Sequence, residues 1–462
     1  MCAAVFSAGL YPGKLYPDTA VNALNALNDN FGALFPAIIG ATFQQIFRFD
    51  QSLTTIFLAQ TLSYWLGVFL LCWGLLRLQL DRAWLAFAVL IAAISPYCLN
   101  YQFLLLKDNW LLNAYLIFFG LFSLTLTVQR GRVFLLLLMV VTACFLLLVR
   151  NGFLPLAIPL ALCLVLTAWG QSVNRMTMGK GAAVLTSTAV LSFCLSFLAD
   201  WTNETLSEGR RLDNNYRLDT FAAREQIALS MLTGHSGVSR TLSPTTQARL
   251  EHAYRTRWTW WRATVGDETK DLVNDLRESE SVRDDWWEAV KREPLVYAKH
   301  RWNMFASHFS GSLRFNAKLL DRNVPFETER YQRLTEALRI EEIDNDLAWR
   351  AYTLYILGFF FVMPTLAWIP LLSLLMLGWS AVLQFRQGAL TPSGTLLITM
   401  NLAAWSYMSP YILMLSHPEA RYVYPALSLI LFSIPVFAGQ LLERTAMLER
   451  RGGVATGQAA AR

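Results

Sequence analysis

The sequence predicts an all-α polytopic membrane protein of about nine to ten transmembrane helices, with a mainly helical external domain inserted before the last three spans. Three observations carry that reading. Hydrophobic residues make up 55% of the 462 positions and charged residues only 16%, where a water-soluble domain holds about 25% charge. Apolar runs approaching the roughly 20 residues of a bilayer crossing recur along the chain. Finally, 25 of the 33 acidic residues fall in one polar block, residues 200–346.

The apolar runs cover residues 52–76, 83–99, 109–129, 133–149, 153–170, 182–199, 351–385, 391–414 and 422–442. Their basic ends alternate. Arg77 and Arg82, Arg130 and Arg132, Arg175 and Lys180, Arg386, and then Arg444, Arg450 and Arg451 share one face. Basic loop ends mark the cytoplasmic side. Two spans within 351–385 would carry Arg386 outside, and Pro364 cuts off a first piece too short to cross alone. That stretch is therefore read as one kinked or partly re-entrant crossing. The resulting plan is an external N-terminal segment with juxtamembrane helices over 1–50, transmembrane helices over 51–199 and an external insert over 200–346. C-terminal spans over 347–443 and a cytoplasmic tail over 444–462 follow. Met1 to Leu10 lacks the basic start of a secretory signal and is too short to span. It reads equally as the end of a first span that begins before this chain.

The formal charge is +6, yet the polar block holds 22 basic against 25 acidic residues. The positive excess thus surrounds the spans, as orientation requires, and no nucleic acid is expected as a partner. All six cysteines lie in or beside apolar runs, which excludes a disulfide framework or zinc cage in the polar block.

Within the block the pattern is helical. Ser243-Pro244-Thr245 is a helix opening, and Asp284-Asp285 suits the positive end of a helix dipole. Trp286, Trp287 and Val290 form an apolar face; Leu295, Trp302, Phe305 and Phe309 continue at helical spacing towards the membrane. The Arg255–Arg262 cluster, rich in Trp, fits either sugar and phosphate contacts or an aromatic belt at headgroup level. Asn203-Glu204-Thr205 matches a glycosylation acceptor, a pattern common by chance.

Orientation puts a set of ionisable groups on the external face, beside the block: Asp18, Asp29, Lys107, Asp108, Arg150, His417, Glu419 and Arg421. Such groups near hydrocarbon are costly and mark function. Pro17 biases the chain before it away from helix, so Asp18 opens a helix running to Leu27, as a general base, a cation ligand or an ordinary N-cap. Asn28-Asp29-Asn30 follows it. Lys107-Asp108 at the outer start of a span reads as a local ion pair or as a phosphate-binding cation with an acid beside it. Arg150-Asn151-Gly152 turns between two spans, and Arg150 either snorkels or binds phosphate. His417-Pro418-Glu419-Ala420-Arg421-Tyr422 opens the last span, where His417 titrates near neutral pH.

Tyr16-Pro17-Asp18-Thr19, the Asp29 to Pro36 segment, Lys107-Asp108, Arg150-Asn151-Gly152 and Glu419-Ala420-Arg421-Tyr422 with Pro425 follow one another in an order that resembles multi-span GT-C type glycosyltransferases. These include bacterial relatives of protein O-mannosyltransferases and of the lipid A aminoarabinose transferase. The resemblance spans most of the chain on short motifs. It implies a polyprenyl-phosphate-linked sugar as donor and an acceptor glycan, lipid or protein. Transfer would occur on the external face of a bacterial inner membrane, among its lipids. Asp18 would be the catalytic base, with Asp29 and Asp108 as further candidate acids. Lys107, Arg150 and Arg421 would grip the donor phosphate, and Asn151, His417, Glu419 and Tyr422 complete the candidate substrate-binding set. The histidine that often follows the first acid is absent, so no metal ligands are assigned and a divalent cation stays open as cofactor. The insert also sits between spans rather than at the C-terminus, which implies a distinct acceptor. Two other readings remain: a polysaccharide polymerase or O-antigen ligase dependent on loop arginines, and a transporter or flippase. Charge-poor span interiors and the lack of a repeat weigh against the carrier.

Overall fold

The computed structural model describes residues 14–15, 17–29, 31, 36–78, 83–102, 104–150, 153–169, 178–207, 214–233, 267–310, 366–387, 391–414 and 420–460. Ser243–Thr245, the Arg255–Arg262 cluster and Pro364 lie outside these residues. Apart from a two-residue parallel ladder, every element described is a helix. In chain order they are β1 (Lys14–Leu15), α1 (Pro17–Leu27), α2 (Ala37–Phe47), α3 (Leu53–Arg77), α4 (Ala83–Ile94), α5 (Pro96–Gln102), β2 (Leu104–Leu105), α6 (Lys107–Thr125), α7 (Arg132–Val149), α8 (Leu154–Trp169) and α9 (Met178–Leu206). The insert contributes α10 (Asn214–Thr233), α11 (Asp267–Glu278), α12 (Val282–Arg292) and α13 (Pro294–Ser310). The chain then returns through α14 (Trp368–Gln387), α15 (Pro392–Met414) and α16 (Ala420–Ala460).

Each apolar run of the sequence meets a helix, but fewer can cross a membrane by length and composition than the nine or ten expected. Among the described residues five qualify: Thr54–Arg77, Arg132–Val149, Gly179–Leu206, Trp368–Arg386 and Tyr422–Leu442. The shortfall has identifiable causes. The 83–99 run is cut at Ser95, where Pro96 starts a new helix and leaves α4 with 12 residues. Helix α8 has only 16 residues. Helices α6 and α15 are long enough but carry polar groups such as Asp108, Asn109, Asn113, Thr399 and Asn401, all buried. A helix enclosed by other helices need not be apolar all round.

Helix α6 is that enclosed centre, buried along nearly its whole length and packed against α3, α7, α15 and α16. Its close approach to α3 depends on small residues: a Cβ on Gly120 would lie 2.6 Å from the Leu70 Cβ and 2.8 Å from the Leu71 nitrogen. The start of α3 is set by Ser52, whose hydroxyl accepts the Thr55 amide at 3.3 Å and donates to Asp50 at 2.5 Å.

The insert has its own small core of Ala222, Ala223, Ile227, Ala228, Val273, Val282 and Met304, with Trp286 against it. As expected, α12 carries Asp284 and Asp285 in its first turn, and Lys291 and Arg292 in its last. The expected apolar face is narrower than the sequence suggested, since Trp287, Leu295 and Trp302 are exposed. Phe305 and Phe309, by contrast, enter the core of the membrane helices.

Candidate functional site

The ladder pairs Lys14 with Leu104 and Leu15 with Leu105, in parallel. Two residues beyond each strand a helix begins: α1 at Pro17 and α6 at Lys107. Asp18 and Asp108 are therefore the second residues of two helices that leave the same end of one parallel ladder. A helix N-terminus carries partial positive charge, which favours an acid in its first turn. Nothing in the spacing of residues 18 and 108 along the chain announces this juxtaposition. The Asp18 side chain lies outside the described residues.

Asp108 is buried and accepts a 2.9 Å ion-paired hydrogen bond from the Arg150 Nη2, at the C-terminal end of α7. Arg150 thus does not snorkel. Its guanidinium carbon lies 4.5 Å from the Tyr407 ring centre and 6.0 Å from that of Tyr411, both on α15, a cation–π arrangement. Tyr411 donates to the Tyr407 hydroxyl at 3.2 Å. Tyr115, from the centre of α6, meets Tyr407 edge to face at 6.4 Å. Three buried polar atoms in this cluster have no hydrogen-bond partner among the described residues: Asp108 Oδ2, Arg150 Nε and the Tyr115 hydroxyl. Unsatisfied buried groups are costly, which sets this cluster apart from an ordinary apolar core.

The start of α16 joins the same layer. Tyr424 stacks on Tyr101 with ring centres 4.2 Å apart, and the Tyr101 carbonyl accepts Asn109 Nδ2 at 2.6 Å. Asn109 follows Asp108 directly. Tyr422 lies 5.9 Å from Tyr411, ring to ring. Arg421, the second residue of α16, directly precedes Tyr422 in sequence; its side chain lies outside the described residues. Lys107, the first residue of α6, is half-buried.

Asp29 has a different setting. It follows α1 in the left-handed region at φ 51°, a conformation Asp tolerates better than most residues. It is exposed and accepts a hydrogen bond from Gln44 on α2, which ties the two helices together. Asn151, His417 and Glu419 lie outside the described residues. Asn203 is 1% exposed; it accepts the Ile38 amide at 3.4 Å and donates to the Leu148 carbonyl at 2.7 Å. It is a clasp between α2, α7 and α9 two residues from Arg150, not a modification site.

Sequence reasoning missed Tyr115, Tyr407 and Tyr411. The four-residue spacing of the last two on one helix was the available signal, and it is shared by many core pairs. No group of three or more His, Cys, Asp or Glu capable of holding a metal ion occurs among the described residues, and Asp108 already faces a guanidinium. The described residues do not fit a divalent cation. No family model, no curated protein and no solved structure matches this chain.

Proposed function

We propose that this chain is an integral-membrane glycosyltransferase. It moves a sugar from a polyprenyl-phosphate donor to an acceptor glycan, lipid or protein on the external face of a bacterial inner membrane. The observation that carries this reading is the Asp108–Arg150 pair, at 2.9 Å, at the same end of the ladder from which the helix bearing Asp18 departs. An acid and a cation 42 residues apart in sequence meet at helix ends, and in this reading a lipid phosphate sits beside them.

The reaction is a direct displacement. Asp18 takes the proton of an acceptor hydroxyl while that oxygen bonds to the anomeric carbon. The bond from that carbon to the phosphate oxygen breaks with inversion, and polyprenyl phosphate leaves carrying the electron pair. Arg150, with Lys107 and Arg421, offsets the charge growing on the phosphate. Asp108 holds the guanidinium in place through its Oδ1. The five helices long and apolar enough to cross are completed by the α4–α5 pair, α6, α8 and α15, which bring the crossings to about nine. They enclose the isoprenoid tail, and the insert covers the acceptor.

The test is to place the purified chain in nanodiscs with a panel of polyprenyl-phosphate sugars and measure release of polyprenyl phosphate. Release is expected with at least one donor, and Asp18→Asn is expected to abolish it. Transfer that survives Asp18→Asn but depends on arginines of the insert would instead favour the polymerase or ligase chemistry.

A further inference from the structure

A second buried charge cluster lies where the insert meets the membrane helices. Glu225 of α10 is completely buried, and its Oε1 accepts Arg301 Nη1 at 2.9 Å. His300 Nε2 lies 3.4 Å from its other oxygen. Arg301, on α13, does not stop at this partner. Its Nε donates to the Ile412 carbonyl at 2.9 Å and its Nη2 to the Tyr411 carbonyl at 3.3 Å.

Those two carbonyls belong to the last turn of α15, which ends at Met414. The final four carbonyls of a helix have no partner within it. Arg301 therefore caps a membrane helix from the external insert. The planar guanidinium fork makes this possible, since it serves a carboxylate on one edge and two carbonyls on the other. Next to it, His308 of the same α13 stacks on the Tyr411 ring at 6.3 Å. Tyr411 in turn hydrogen-bonds Tyr407, and both rings flank Arg150. A continuous path of contacts runs from Glu225 through Arg301 and Tyr411 to the Arg150 guanidinium.

We infer that Arg301, clamped by Glu225, is a positioning residue for lipid-phosphate binding: it fixes the outer turn of α15 and so sets the Tyr411–Tyr407–Arg150 stack from within the insert. This rests on the reading of Arg150 as a phosphate-binding cation. Its consequence is that displacing the insert, as when an acceptor docks, alters the grip on the donor phosphate.

The experiment compares Arg301→Lys with Asp219→Asn in nanodiscs. Lysine keeps the charge beside Glu225 but lacks the fork. Asp219→Asn breaks the Asp219–Arg283 pair inside the insert without touching α15. Arg301→Lys is expected to speed amide exchange over residues 405–414 about tenfold and to weaken binding of undecaprenyl phosphate about tenfold, with exchange in α3 and α6 unchanged. Asp219→Asn is expected to do neither. Glu225→Gln, nearly isosteric, perturbs the same clamp more mildly and should move both readouts in the same direction. Unchanged exchange over 405–414 in Arg301→Lys, or equal weakening by Asp219→Asn, overturns the inference. Wild-type protein that binds no undecaprenyl phosphate removes the phosphate reading itself, and the exchange measurement then still decides whether Arg301 holds α15.

Discussion

Asp108 and Arg150 each remove the cost of burying the other. Deleting one partner strands the other charge, so Asp108→Asn or Arg150→Ala should each cost roughly 3 kcal/mol, read as lost thermal stability in detergent. Replacing both with apolar residues of similar size, Asp108→Leu with Arg150→Met, should recover most of that loss. The double variant should nevertheless bind no polyprenyl phosphate. Recovery of both stability and binding would reduce the pair to a structural contact. A second single-residue effect concerns pH. Burial pushes the His308 imidazole down from 6.5 to about 4, against hydrogen bonds to the Phe305 and Met304 carbonyls that favour the charged form, with Arg301 lowering it further. Between those values the unfolded chain binds a proton that the folded chain refuses. Stability therefore falls as pH drops from 6.5 towards 4, by at most about 3 kcal/mol. In His308→Asn that part of the acid sensitivity should vanish, as chemical denaturation at pH 7 and pH 5 would reveal.

Among the elements, α3 and α6 meet in a seam where they approach each other closely at Gly120. Gly120 faces backbone rather than a movable side-chain end, so an added methyl group cannot be accommodated by a rotamer change. Gly120→Ala should destabilise by about 2 kcal/mol. Gly131→Ala, also strained because the residue holds φ at +80°, meets no neighbour within 4 Å and should cost about 1 kcal/mol. Thermal unfolding of the two variants side by side tests whether contact or backbone strain dominates. The same seam carries Asp108 into the site, since α6 starts where β2 ends; loosening it should reduce ligand binding as well as stability.

At the scale of the whole molecule, the proposed orientation puts the basic loop ends and the insert on opposite faces. Single cysteines placed at Glu288, in the insert, and at Arg386, after α14, on a background lacking the native thiols, separate these faces. The first should react with a membrane-impermeant maleimide in intact cells, and the second only after the membrane is opened. Both reacting from outside would invert or break the topology from which the candidate site is argued.

How much of this was legible beforehand differs by level. Helix positions followed from apolar runs because a helix in or near lipid must satisfy its own backbone, a local requirement written in composition. The acids at the head of α12 were likewise local; the break at Pro96 is local too, but by composition 83–99 reads as one uninterrupted run. The number of crossing helices was not legible: the runs 109–129 and 391–414 count as spans by composition, yet they carry the buried Asn109, Asn113 and Asn401, and neither is among the five described helices long and apolar enough to cross. The charged candidates were visible as rarities, but their partners were not. Asp108 meets Arg150 across 42 residues and Arg301 meets Tyr411 across 110. The sequence alone determined which segments are apolar and where the rare charges fall. Which groups meet was decided only by the tertiary structure, because the parallel ladder and the packing around α6 bring together helix ends that no sequence spacing relates.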